Sequence, residues 1–102
     1  MRVVALVSDL MDRSRVSAAV PDVVFAADPA ACADADVVIV DLARHAALVA
    51  PVRTVAPATR IVAFGPHVDD ELLAGARRDG ADVVLARSQF FRDPAAALQA
   101  TT

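Results

Sequence analysis

Asp36-Val37-Val38-Ile39-Val40-Asp41-Leu42 decides the fold. Four β-branched apolar residues run unbroken between two carboxylates. A run without polar alternation reads as a strand buried on both faces, the kind found inside a parallel sheet. Strands of this kind end at the sheet edge where the ligands of open α/β sheets collect. Asp41 stands at that carboxyl end, so any chemistry is expected near it.

Similar apolar runs flank it. Arg2 to Val7 reads as a first strand, ending at Ser8-Asp9. Leu10 to Val20 mixes Met11, Val16, Ala19 and Val20 with Asp12, Arg13, Ser14 and Arg15, a pattern for a helix with one apolar side stopped by Pro21. Asp22 to Ala26 is a short second strand. Asp28-Pro29 opens a short helical turn through Ala35, with Asp as cap and Pro in the first position. After the central strand, Leu48, Val49, Val52 and Val55 share a helical face that contains Pro51. Either that helix kinks or a new turn starts at Pro51. Arg60 to Phe64 is the fourth strand, ending at Gly65-Pro66. Asp69 to Asp79 is the clearest helix, with Asp69, Asp70 and Glu71 at its start, Arg77 and Arg78 at its end, and Gly80 as its stop. Asp82 to Ala86 is the fifth strand, and Asp93-Pro94 caps a last short helix to Gln99.

Strands alternating with helical segments imply an open parallel sheet covered on both faces, with right-handed crossovers. The expected architecture is a flavodoxin-like, three-layer α/β sandwich with five strands in the order 2-1-3-4-5. Its switch point lies between the first and third strands, so Asp9 and Asp41 are expected to share one crevice.

Bulk properties bound the rest. The 102 residues suit a single domain, 1–102, and a 57% hydrophobic content supports a real core with only 4% aromatic residues. A net charge of -3 argues against a nucleic-acid-binding surface. Every basic residue is Arg, the usage of a GC-rich bacterial genome. Cys32 is the sole cysteine, has no internal disulfide partner and reads as a packing residue, which suits a reducing cytoplasm. No signal peptide is expected, since Val3 to Val7 is short and meets Ser8-Asp9 at once. No apolar run approaches the ~20 residues of a membrane span, and no glycine-rich phosphate loop exists among Gly65, Gly75 and Gly80.

In order and spacing, the chain resembles a response-regulator receiver domain of the CheY type. Asp70-Glu71-Leu72, Ala76 and Gly80-Ala81-Asp82-Val83-Val84-Leu85-Ala86-Arg87 are similar to the family's fourth helix, Gly-Ala-Asp turn and fifth strand. The Asp36–Asp41 run is similar to its third strand, which ends in the phosphoacceptor. Asp9 matches one member of the acidic pair after the first strand. The segment between Phe25 and Asp36 is short for the family. The resemblance implies Asp41 as phosphoacceptor, Asp9 and Asp41 as a weak Mg²⁺ site, and Gly65 and Arg87 at the phosphate-contacting positions.

Its departures are equally specific. The other acidic position is Ser8. The Thr or Ser that senses the phosphoryl group falls on Gly65, the Lys-Pro after the fifth strand on Arg87-Ser88, and the aromatic switch residue on Val84. Mg²⁺ wants oxygen ligands, mostly carboxylates and water, and Ser8 offers a neutral oxygen. Arg87 supplies charge, but its planar fork is larger than an ammonium and aims differently. The pattern is that of a degenerate pseudo-receiver.

Other motifs compete. Pro66-His67-Val68-Asp69-Asp70-Glu71 is similar to the His-Pro-Asp-Asp-Glu motif of zinc-dependent sugar N-deacetylases, which would make His67, Asp69 and Asp70 a hydrolase centre. A catalytic zinc needs about three protein ligands, and His45 is the only other histidine. The plainer reading is a loop His before a helix capped by Asp69. His45 either lines the crevice near Asp41 or faces solvent. Of Phe90 and Phe91, one is expected in the core and the other on an interaction surface, a face that the resemblance associates with dimerisation or output contacts.

The sequence therefore reads as a cytoplasmic, bacterial signalling module acting by protein–protein interaction, with impaired or absent aspartyl phosphotransfer and no enzymatic activity. Its expected partner is a separate protein, a histidine kinase or a regulatory protein, with a homodimer also open. The main alternative is a working receiver phosphorylated on Asp41 with Mg²⁺. The metal-dependent hydrolase is a distant third.

Overall fold

The computed structural model describes residues 1–100. Five parallel strands form one sheet in the order β2-β1-β3-β4-β5, as the run lengths and spacing predict. They are β1 (Val3–Leu6), β2 (Val24–Phe25), β3 (Val37–Asp41), β4 (Arg60–Gly65) and β5 (Val83–Ala86). β3 lies in the middle, with Val37–Val40 paired to Val3–Leu6 on one side and Val37–Asp41 paired to Arg60–Phe64 on the other. All five of its residues are buried.

Because side chains alternate across a strand, each strand feeds two cores. One face carries Val4, Leu6, Val38, Val40, Ile61, Ala63 and Val84 against Cys32, Val49, Val52, Leu72, Leu73 and Ala76. These come from the 3-10 turn Pro29–Cys32 and from α3 (Val49–Val55) and α4 (Asp70–Arg78). The other face carries Val3, Ala5, Val7, Ile39, Val62 and Phe64 against Val16, Phe90, Ala97 and Leu98. Its helices are α1 (Leu10–Ala19), α5 (Arg87–Arg92) and α6 (Pro94–Ala97).

The stretch around Pro51 resolves into α2 (Leu42–His45), a 3-10 turn (Ala46–Leu48) and α3. The break precedes the proline by two residues. Pro51 falls in the first turn of α3, where its missing N–H has no intrahelical partner to lose. The helix α5 departs from the sequence expectation, which ran straight from strand five to Phe90. Its backbone start is held by Gln89 Oε1, which accepts from the Ala86 N–H at 3.1 Å.

That extra turn rotates Phe90 fully into the core, 0% exposed. Its ring stacks on Phe64 with centroids 4.7 Å apart, and Phe91 closes the trio edge-on at 5.0 and 4.9 Å. Phe90 is therefore corrected from candidate interaction surface to core. Phe91 is half-buried.

One arginine ties the lower edge together. Arg53 donates to the carbonyls of Pro57, Thr59 and Gly80 and to the Asp82 carboxylate at 2.7–3.1 Å. Gly80 stands at φ +115°, a backbone that L side chains rarely adopt, and an added Cβ would lie 2.9 Å from Arg53 Cγ. Among the described residues, no helix is long and apolar enough to cross a membrane.

Candidate functional site

Parallel strands send their carboxyl ends to one edge, so Ser8-Asp9 after β1 and Asp41 at the end of β3 lie on neighbouring strands. Each acid is fixed by the helix it starts. Asp41 caps α2, its Oδ1 accepting the Ala43 N–H at 3.1 Å. It is 2% exposed, and burial pushes its carboxyl above the usual range. The Ala43 N–H opposes that push, and the nearby Asp12 charge adds to it. Asp9 caps α1, its Oδ1 accepting the Asp12 N–H at 2.9 Å. That bond holds its carboxyl below the usual range, helped by Arg44 at 3.7 Å.

Ser8, at the second acidic position of the resemblance, is already engaged. Its Oγ lies 3.0 Å from His45 Nε2. His45 is half-buried and lines the crevice, the first of its two sequence readings. Gly65 ends β4 with Leu42 and Leu73 packed over it. A Cβ there would meet Leu42 Cβ and Leu73 Cδ2, both at 3.3 Å, so the room a Thr or Ser hydroxyl would use is largely filled by leucine.

The largest surprise is Asp12. The sequence placed it on the polar side of α1, yet it is 3% exposed and forms a bidentate pair with Arg87. Arg87 Nη1 donates to Oδ2 at 2.9 Å, and Nη2 donates to Oδ1. The guanidinium also lies over the Phe91 ring, 4.8 Å from its centroid. The Asp12 hydrogen bonds raise the Arg87 pKa further, and the Asp41 and Asp9 charges add to this. The cation at the phosphate-contacting position, itself exposed, is thus held by a buried acid one helical turn beyond Ser8. Only a charged residue opposite the start of α5 could have hinted at this pair, and α5 itself was not foreseen.

Exposed apolar side chains rim the same edge: Leu10 at 78%, Met11 at 76% and Val68 at 78%. His67, Asp69 and Asp70 are exposed beside them. Asp69 caps α4 through Oδ1, which accepts the Leu72 N–H at 3.0 Å, the plainer of its readings. Among the described residues, no three His, Cys, Asp or Glu side chains converge to hold a metal ion. Asp9 and Asp41 each give Oδ1 to a backbone N–H, which leaves each carboxylate its second oxygen, and the Ser8 hydroxyl is engaged with His45.

This fold is that of response-regulator receiver domains, and the solved structures of that class superpose on nearly the whole chain. A response regulator from Burkholderia pseudomallei, determined with a phosphorylated aspartic acid, calcium ion and citrate, is 20% identical with a TM-score of 0.80, covering 96% of this chain and 66% of its own. The signal receiver domain of the response regulator NarL from Mycobacterium tuberculosis is 23% identical with a TM-score of 0.74, covering 96% and 92%. A CpaE2 pilus assembly protein from Sinorhizobium meliloti is 18% identical with a TM-score of 0.70, covering 97% and 98%. No protein-family model matches the chain, and no curated protein matches it significantly.

Proposed function

We propose that this chain is a receiver-fold signalling module that acts by binding a protein partner, with aspartyl phosphotransfer impaired or absent. The observation that carries the reading is the Asp12–Arg87 pair. Phosphoryl transfer needs donors free to meet the charge that develops on the phosphoryl oxygens, and here the one cation at that position is bound to a buried carboxylate. The engaged Ser8 hydroxyl and the leucine-walled Gly65 support the same reading. The exposed Leu10, Met11 and Val68 beside the crevice suit contact with a partner. On this proposal the module is not an enzyme. It works on a separate cytoplasmic protein, a histidine kinase or another regulatory protein, or on a second copy of itself.

A second reading has its own support. Asp41 ends the central strand level with Val7, two residues before Asp9 on the neighbouring segment, which favours a working phosphoacceptor. One experiment separates the two. The protein is treated with acetyl phosphate and Mg²⁺, and wild type, Asp41→Asn and Ser8→Asp are compared by intact mass. Impaired transfer predicts little or no phosphoryl adduct on wild type. A stoichiometric, Mg²⁺-dependent adduct that vanishes in Asp41→Asn would overturn the proposal. Ser8→Asp restores the second carboxylate and breaks the bond to His45, so any residual adduct should increase.

A further inference from the structure

The sites above lie on the carboxyl edge of the sheet. A cleft of about 350 Å³ opens beside that edge, between α1 and α5, sharing Arg87 with it and lined by Arg15, Arg87, Ser88, Phe91 and Arg92. In a chain of net charge -3 this is a local positive patch. Three guanidinium groups meet there, and among the described residues only Arg87 has a carboxylate within salt-bridge distance. Asp93, next to Arg92, turns its carboxylate to the Ala96 N–H at 3.1 Å as the cap of α6.

The arrangement is built by packing. Arg15 lies over the Phe91 ring with its guanidinium carbon 4.3 Å from the centroid, and Arg87 also lies over that ring at 4.8 Å. Stacking on an aromatic face orients a guanidinium while leaving its N–H edge open. Among the described residues, the Arg15 and Arg92 side chains donate to no protein acceptor. Their planar forks match phosphate oxygens in a bidentate fashion. The Asp12 carboxylate neutralises one of the three charges, leaving a surplus suited to a dianion.

We infer that the α1–α5 cleft, through Arg15, Arg92 and the Ser88 hydroxyl, binds a small phosphate-bearing anion of two or more charges, either an inorganic oligophosphate or the phosphate group of a small organic monoester. Arg87, already paired with Asp12, forms the cleft wall. This inference does not rest on the function proposed for the crevice. A ligand in the cleft touches neither Asp9 nor Asp41.

The test is a titration of the full chain, followed by amide and arginine side-chain NMR shifts at low ionic strength. Inorganic pyrophosphate and phenyl phosphate are the two phosphate arms, and citrate is the carboxylate comparator. The expected result is saturable binding of a phosphate arm at or below about 1 mM, with shifts centred on Arg15, Ser88, Phe91 and Arg92, and weakening as salt is raised. Preference for phenyl phosphate over pyrophosphate identifies an organic monoester, and the reverse identifies an oligophosphate. Arg15→Lys keeps the charge but loses the stacked fork, and should weaken binding several-fold. Arg15→Ala with Arg92→Ala should abolish it. Arg2→Ala with Arg78→Ala removes the same charge elsewhere and should leave binding intact. The replaced side chains are all exposed, so folding is preserved and checked by circular dichroism. The inference is overturned if neither phosphate arm saturates by ~10 mM, tenfold beyond the expected constant. Equal loss in both double variants, or citrate binding as tightly as the better phosphate arm, overturns it too.

Discussion

Asp9 and Asp41 are the same residue type at the ends of neighbouring strands, yet their carboxyl pKa values are displaced in opposite directions. Asp41 is buried, so its folded carboxyl takes up a proton more readily than the unfolded one, whose pKa is near 3.8. Its charge therefore opposes folding in full above the folded pKa. The opposition fades between that pKa and 3.8, and is gone below 3.8. Asn keeps the cap on α2 and removes the charge. Asp41→Asn should thus be the more stable protein at pH 7, with the difference closing as pH falls through that window in urea titrations. Asp9 has the opposite sign. Its carboxyl is held low by the Asp12 N–H and Arg44, so its contribution is present above 3.8 and is lost as pH falls through its folded pKa. Asp9→Asn should therefore be no more stable than wild type at pH 7 and should lose less stability on acidification. A single residue also marks the limit of reading a site from sequence. A helical pattern of Asp, Arg and Ser gave no sign that Asp12 turns inward, because its reason for burial lies 75 residues away at Arg87.

Between residues and fold, legibility followed element length and punctuation. Unbroken apolar runs located all five strands, and strong end signals located α4, whose Asp69 cap and Gly80 stop stand where expected. Short helices without a side-chain cap were harder. The start of α5 has an alanine where an N-cap would announce it, and its six residues are too few for periodicity to register. Missing α5 left open which of Phe90 and Phe91 enters the core. The α4–β5 turn is where an element-scale prediction is sharpest. Gly80→Ala meets both the φ of +115° and Arg53 Cγ at 2.9 Å, and should cost about 1–3 kcal/mol by chemical denaturation. Arg53→Ala removes the contact and the bonds to Gly80, Asp82 and the α3–β4 loop, so it should also destabilise. In the Arg53→Ala background the Gly80→Ala cost should shrink without vanishing, because the backbone strain remains.

Over the whole molecule, the order of strands was legible because buried parallel strands and right-handed crossovers leave few alternatives. The distribution of stability follows from that order. β3 has partners on both sides and no exposed residue, whereas β2 is a two-residue edge strand with Val24 44% exposed. Amide hydrogen exchange should therefore be fastest around β2 and the 3-10 turn that follows it, and slowest across Val38–Val40 and Ile61–Ala63. Uniform protection across the sheet would contradict this picture. The candidate site was only partly legible, since the resemblance named its positions but the pairings that occupy them, Ser8 with His45 and Asp12 with Arg87, are properties of the packed whole.

The Asp12–Arg87 pair also sets a sequence of events during synthesis. A ribosome releases the amino end first, so Asp12 and every strand emerge before Arg87 does. Until the last helices appear, α1 must hold the Asp12 carboxylate without its counter-ion, and Phe64 lacks the Phe90 and Phe91 rings that pack on it. The crevice is thus the last part of the protein to be completed. A translation product cut short before residue 87 would carry Asp9, Asp12 and Asp41 but lack the counter-ion beside them, leaving it prone to capture by quality control.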